Sequence, residues 1–107
     1  MQAFTYQQGE LHAESVALST IAKQFGTPTY VYSRAHIEAQ YRSYADALQG
    51  VEHLVCFAVK ACSNLAVIHE MAKLGAGFDI VSEHLSAIAF ILSMLQFVRS
   101  EERRVGK

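Results

Sequence analysis

The chain has 107 residues, half of them apolar, with charged residues at 18% and a formal net charge of −1. That composition excludes a disordered chain and a basic nucleic-acid surface, and it is enough for one small domain with a modest core. The balance hides an asymmetry: Arg99, Arg103, Arg104 and Lys107 lie in the last nine residues, so residues 1–98 hold 5 basic and 8 acidic groups, a net of −3.

In chain order, Phe4 and Tyr6 alternate with polar residues, Gln8-Gly9 offers a turn and Leu11 follows, which predicts a short hairpin. Val16, Ile21, Ala22 and Phe25 fit one face of a short helix that Gly26 stops, and Thr27-Pro28 returns the backbone to an extended state. Thr29-Tyr30-Val31-Tyr32 is rich in aromatic and β-branched residues and reads as a strand. Ser33 is placed to cap the next helix, whose inner face is Ile37, Tyr41, Tyr44, Ala45 and Leu48, with Gly50 closing it. Tyr41 and Tyr44 read as packing on that face.

His53 to Val59 is a near-continuous apolar run, the pattern of a strand covered on both sheet faces. It ends on Lys60. Ser63 or Asn64 then caps a helix with Leu65, Ile68, Met71 and Ala72 on its inner face, Gly75 ends that helix, and Gly77 to Ser82 forms a third strand. Strand, helix, strand, helix, strand implies a parallel sheet with right-handed crossovers. Gly75 and Gly77 fit a helix stop and a strand entry better than a phosphate cradle.

Two residues carry candidate chemistry. Taken by residue type, Lys60 is a solvated or snorkelling lysine at a strand end. The same position suits an amine that attacks an aldehyde cofactor, because active sites of parallel barrels lie at the carboxyl ends of the strands. Asp79, in an apolar strand, is costly there unless paired, and reads either as a structural partner or as a carboxylate that positions Lys60 from the neighbouring strand exit. Cys56 reads as a small core residue, and Cys56 and Cys62 are spaced for neither a metal knuckle nor a disulfide framework. The five histidines lack helical ligand spacing, so no metal is expected. Met1-Gln2-Ala3-Phe4-Thr5-Tyr6 lacks the regions of a signal peptide, and the apolar run Leu85 to Val98 is shorter than the about 20 residues that span a bilayer. A cytoplasmic location and no membrane partner are expected.

Phe57-Ala58-Val59-Lys60-Ala61, Ser63-Asn64-Leu65, Gly77-Phe78-Asp79-Ile80-Val81-Ser82 and, upstream, Gly26-Thr27-Pro28 with Tyr30-Val31-Tyr32 form four ordered blocks. Together they resemble the diaminopimelate decarboxylase family, pyridoxal-phosphate enzymes built on an alanine-racemase-like barrel. Cys62 departs from that pattern, which most often has Asn there. The resemblance implies an α/β fold: a partial pyridoxal-phosphate-binding (β/α)8 TIM barrel with an N-terminal extension. Residues 1–28 would be the extension, 29–82 the first two and a half barrel units, and 83–107 a tail outside the family pattern. A complete barrel needs about 250 residues, so the chain reads as an N-terminal fragment with an open sheet edge.

The resemblance further implies pyridoxal 5'-phosphate as cofactor, Lys60 as its Schiff-base lysine and Asp79 close to it. It implies decarboxylation of meso-2,6-diaminopimelate to L-lysine and CO2, an amino-acid substrate, and a homodimer for the full-length protein. The phosphate-binding glycines and substrate-binding residues would come later in the chain, so the fragment itself is expected to be inactive. A related ornithine or arginine decarboxylase and a non-enzymatic barrel protein that binds the same cofactor are the competing readings. Arg99 to Lys107 can be back-translated to resemble a common sequencing-library adapter, which points to an artefactual end.

Overall fold

The structure, a computed structural model, describes residues 2–80. The predicted tail from residue 83, the apolar run after Leu85 and the last two residues of the predicted third strand lie outside them. The chain divides into two compact units, Met1–Gln40 and Tyr41–Lys107.

The first unit opens with an antiparallel meander, β1 (Phe4–Gln7), β2 (Glu10–Ala13) and β3 (Val16–Ala17), in the order β1-β2-β3. Gln7 pairs with Glu10 across Gln8 and Gly9, both at positive φ (53° and 78°). Positive φ at both central residues is the hairpin turn whose twist matches the strands, and glycine tolerates it without strain. The predicted hairpin is therefore present, and a third strand extends it. Val16, expected on the helix, belongs to β3 instead, where it pairs with Ala13.

The helix proper, α1, is Leu18–Phe25, and Gly26 ends it at φ 82° with its N–H on the Ala22 carbonyl at 2.8 Å. Ile21 and Ala22 are half-buried, but Phe25 is exposed. Residues 29–32, expected as a strand, join neither sheet among the described residues. A strand is made by its ladder partner, which local composition cannot supply.

The next helix, α2, is Arg34–Ala47. Ser33 caps it as expected, accepting the His36 N–H at 3.1 Å on its hydroxyl oxygen, and the same hydroxyl donates to Glu14 Oε2 at 3.0 Å. Glu14, at φ 56°, also donates its N–H to the Ala3 carbonyl at 2.7 Å. One side chain at the β2–β3 turn is thus tied to the start of α2. Tyr44, expected to pack, is exposed, and Gly50 lies beyond the helix end rather than capping it.

In the second unit, β4 (Cys56–Ala58) is followed by a 3-10 turn (Val59–Ala61), helix α3 (Leu65–Leu74) and β5 (Gly77–Asp79). β4 and β5 pair in parallel, as the sequence predicts, with Cys56, Phe57 and Ala58 opposite Gly77, Phe78 and Asp79. Val67, Ile68, Met71 and Ala72 are buried on one side of α3, close to the predicted face, while Leu65 is exposed. Val59 and Ile68 are the largest fully buried side chains. The strand is shorter than the predicted 53–59, and Cys56 and Ala58 are exposed, so the expected cover on both faces is not provided by the described residues. One helix cannot cover both faces of a sheet.

Candidate functional site

Lys60 is the middle residue of the 3-10 turn that leaves β4. Val59, its predecessor, is fully buried, and the turn is closed by the Cys62 N–H on the Val59 carbonyl at 3.1 Å. A buried anchor on one side and a hydrogen-bonded closure on the other fix the lysine backbone. The side chain itself is exposed. The described residues therefore leave the amine open to water.

Helix α3 begins just after the turn. Of the two predicted caps Asn64 is the one used: its Oδ1 accepts the Ala66 N–H at 3.0 Å and the Val67 N–H at 3.2 Å. Those two donors of the helix end are satisfied internally. The far end closes with a left-handed glycine: Gly75 has φ 96°, its N–H donates to Ala72 and the Ala76 N–H donates to Met71, each at 3.1 Å. Ala76 and Met71, the positions whose apolar contact usually accompanies this ending, are both buried. Gly75 and Gly77 thus serve as helix stop and strand entry, as their spacing predicts.

The crossover returns the chain so that β5 ends beside β4. Asp79 is the ladder partner of Ala58, two residues before Lys60, and the 3-10 turn lies against β5. The structure so places Lys60, Asp79 and the start of α3 at one end of a single β–α–β unit. It does not bury Asp79, which is exposed. The cost assigned to a carboxylate inside an apolar strand does not arise at a strand end open to water. No ion pair joins Lys60 and Asp79 among the described residues; Lys73 pairs with Glu70 at 3.0 Å.

Sequence reasoning missed how closely the two strands approach. A Cβ built on Gly77 would lie 2.9 Å from Cys56 Sγ and 3.0 Å from Leu54 Cδ2. The Gly77 N–H also donates to the Val55 carbonyl at 2.9 Å. An isolated glycine inside a strand is the signal for such an approach.

This arrangement fits one part of an aldehyde cofactor's needs. It offers a primary amine, free of carboxylate partners among the described residues, on a fixed turn at a strand's carboxyl end. Among the described residues no group of three His, Cys, Asp or Glu could hold a metal ion.

Residues 34–94, more than half of the chain, match the family described as pyridoxal-dependent decarboxylase, pyridoxal binding domain. Diaminopimelate decarboxylase of Pseudomonas fluorescens is 74% identical over 82 residues, covering 77% of this chain and 20% of that protein. The Haemophilus influenzae enzyme of the same name is 51% identical over 83 residues, covering 78% of this chain and 20% of that one. The crystal structure of the M. jannaschii diaminopimelate decarboxylase in complex with L-lysine matches with a TM-score of 0.80 at 33% identity, over 85% of this chain and 22% of that chain. The chain spans about a fifth of the length of these relatives. Its fold is accordingly part of the alanine-racemase-like barrel that the blocks around Lys60 imply. With a strand-end lysine on a fixed turn, a parallel β–α–β unit behind it and the domain match across both, the chain belongs to the pyridoxal-dependent decarboxylases, within their pyridoxal binding domain.

Proposed function

We propose that the protein containing this chain decarboxylates meso-2,6-diaminopimelate to L-lysine and CO2, with Lys60 as the residue that holds pyridoxal 5'-phosphate. The observation that carries the reading is Lys60 on its closed turn at the carboxyl end of β4, in a chain 74% identical over 82 residues to a diaminopimelate decarboxylase. The L-lysine in the M. jannaschii structure supports that product.

Lys60 Nζ must be unprotonated to attack the aldehyde carbon. Its backbone is held by buried Val59 and the Cys62 hydrogen bond, while its four methylenes would give the amine the reach to hold or release a bound cofactor. Pyridoxal 5'-phosphate, held through Lys60, would supply the electron sink for loss of CO2 from the substrate's α-carbon, with a proton replacing the carboxylate. Asp79, the ladder partner of Ala58 on the neighbouring strand, positions the lysine. The remaining grip on the cofactor and the choice of substrate belong to the rest of the barrel.

Residues 1–28 act as an extension and 29–82 as the opening units of that barrel. The working form is a cytoplasmic homodimer. The free cysteines Cys56 and Cys62 suit a reducing compartment, and no described helix is long and apolar enough to cross a membrane.

The test uses a full-length enzyme that carries residues 1–80 of this chain, completed by the remainder of the Pseudomonas fluorescens relative. Borohydride reduction of the holoenzyme followed by peptide mapping is expected to place the pyridoxyl group on Lys60, and CO2 release is expected from meso-diaminopimelate rather than from ornithine or arginine. A label on another lysine, or full activity in Lys60→Ala, overturns the assignment.

A further inference from the structure

We propose that the cap of α2 is shared between two segments: Ser33 caps the helix only while Glu14, presented by the β2–β3 turn, accepts its hydroxyl proton. The amino-terminal meander then controls whether the first turn of α2 stays closed. The inference is independent of the role given to Lys60.

The bonds of Ser33 identify it as the cap residue. Its carbonyl accepts the Ile37 N–H at 3.1 Å, and its hydroxyl oxygen accepts the His36 N–H at 3.1 Å. A serine hydroxyl carries one proton to donate and two lone pairs to accept with. At an exposed cap that proton goes to water. Ser33 is only 4% exposed, so its proton needs an acceptor within the protein, and Glu14 Oε2 at 3.0 Å provides it. Without that carboxylate the hydroxyl is a buried donor with no partner, which opposes the very burial of Ser33 that the cap requires.

The helix does not reinforce the cap from its own side. His36 stands at the third helical position, from which a glutamate or glutamine bonds back to the N–H of the cap residue. Its Nδ1 is buried and has no hydrogen-bond partner among the described residues. The meander, by contrast, grips Glu14 at both main-chain groups. The Glu14 N–H donates to the Ala3 carbonyl at 2.7 Å, and its carbonyl accepts from Gln7 Nε2 at 3.0 Å, at a φ of 56°. Its backbone is thus fixed by β1 and the turn, and its side chain serves α2. Release of the turn withdraws the acceptor, and the first turn of α2 opens.

Amide hydrogen exchange at His36, resolved by fragmentation in the mass spectrometer, is measured in the full-length enzyme that carries residues 1–80 of this chain. Glu14→Ala is expected to raise the exchange rate about tenfold, and Glu14→Gln, which keeps a carbonyl acceptor, less than about threefold. Glu14→Gly relieves the backbone at φ 56° and keeps both main-chain bonding groups, yet is expected to match Glu14→Ala. In a Ser33→Ala background, where the cap is already gone, adding Glu14→Ala is expected to change the rate less than about twofold. Denaturant midpoints identify any variant that fails to fold, and Glu14→Gly then takes the place of Glu14→Ala in the cycle. Unchanged exchange in Glu14→Gly overturns the shared cap, because backbone strain and not the lost acceptor then accounts for the alanine variant. An equal rise in both Ser33 backgrounds overturns it too, as does a Glu14→Gln enzyme that exchanges as fast as Glu14→Ala.

Discussion

Ala58 and Asp79 face each other across the last rung of a parallel ladder, and Lys60 follows Ala58 by two residues. A carboxylate and an amine thus lie at the same end of neighbouring strands, offset by two residues, and no ion pair joins them among the described residues. The backbone sets this proximity and requires no contact between the side chains.

Replacing Asp79 by asparagine keeps its size and removes its charge. If the carboxylate positions Lys60 electrostatically, Asp79→Asn lowers kcat of the full-length enzyme by about tenfold, a loss of about 1.4 kcal/mol of transition-state stabilisation. Asp79→Glu recovers part of it. Steady-state kinetics with meso-diaminopimelate measure the effect, and an Asp79→Asn enzyme of unchanged kcat rules the role out. Stability changes little, because the side chain is exposed.

Gly75 separates conformational from steric cost. At φ 96° any residue with a Cβ is strained, yet that Cβ would meet only the Tyr41 hydroxyl at 3.7 Å, an ordinary contact. Gly75→Ala is expected to destabilise the full-length protein by about 1–3 kcal/mol, and Gly75→Asn by less, since asparagine tolerates this region better. Adding Tyr41→Phe should recover nothing. Denaturant unfolding checks all three, and recovery with Tyr41→Phe would show the cost to be steric.

Expressed by itself, the 107-residue chain is expected to associate and to bind apolar dyes. Tyr6, Phe25 and Tyr30 are 76%, 70% and 89% exposed, and β4 and β5 pair only with each other among the described residues. Unpaired edges and contiguous apolar surface drive association. Gel filtration with light scattering provides the measurement. A monomer that unfolds cooperatively and releases CO2 from diaminopimelate contradicts this expectation.

Much of the Lys60 neighbourhood was legible because its signals are local. Asn64, Gly75 and Gly77 punctuate the chain within a few residues of the elements they bound, and Ser33 does the same for α2. The apolar run ending at Lys60 identified the strand exit. What could not be read depends on distant partners. Thr29–Tyr32 has the composition of a strand, but composition supplies no ladder. Val16 suits the helix pattern, yet its pairing with Ala13 claims it for the sheet. Asp79 was expected to need a partner because its neighbours are apolar; at the end of a short strand it meets water instead. Cys56 and Gly77 are ladder partners 21 positions apart in sequence, and only the register reveals that pairing.

The meander at the amino terminus bears on the order in which the protein takes shape during translation. Its widest β1–β2 pair, Phe4 with Ala13, spans nine residues, and Ala13 meets Val16 across a two-residue turn. Hairpins of this kind close in about 1–10 μs, whereas a ribosome adds about 5–20 residues per second. Once both strands have left the ribosome, the pairing therefore forms well before the next residue is added. Glu14 is already held at the β2–β3 turn when the hydroxyl it accepts from emerges. The meander can thus settle its register before the turn bearing Lys60 emerges, so the nascent chain presents an ordered start to everything that must later assemble.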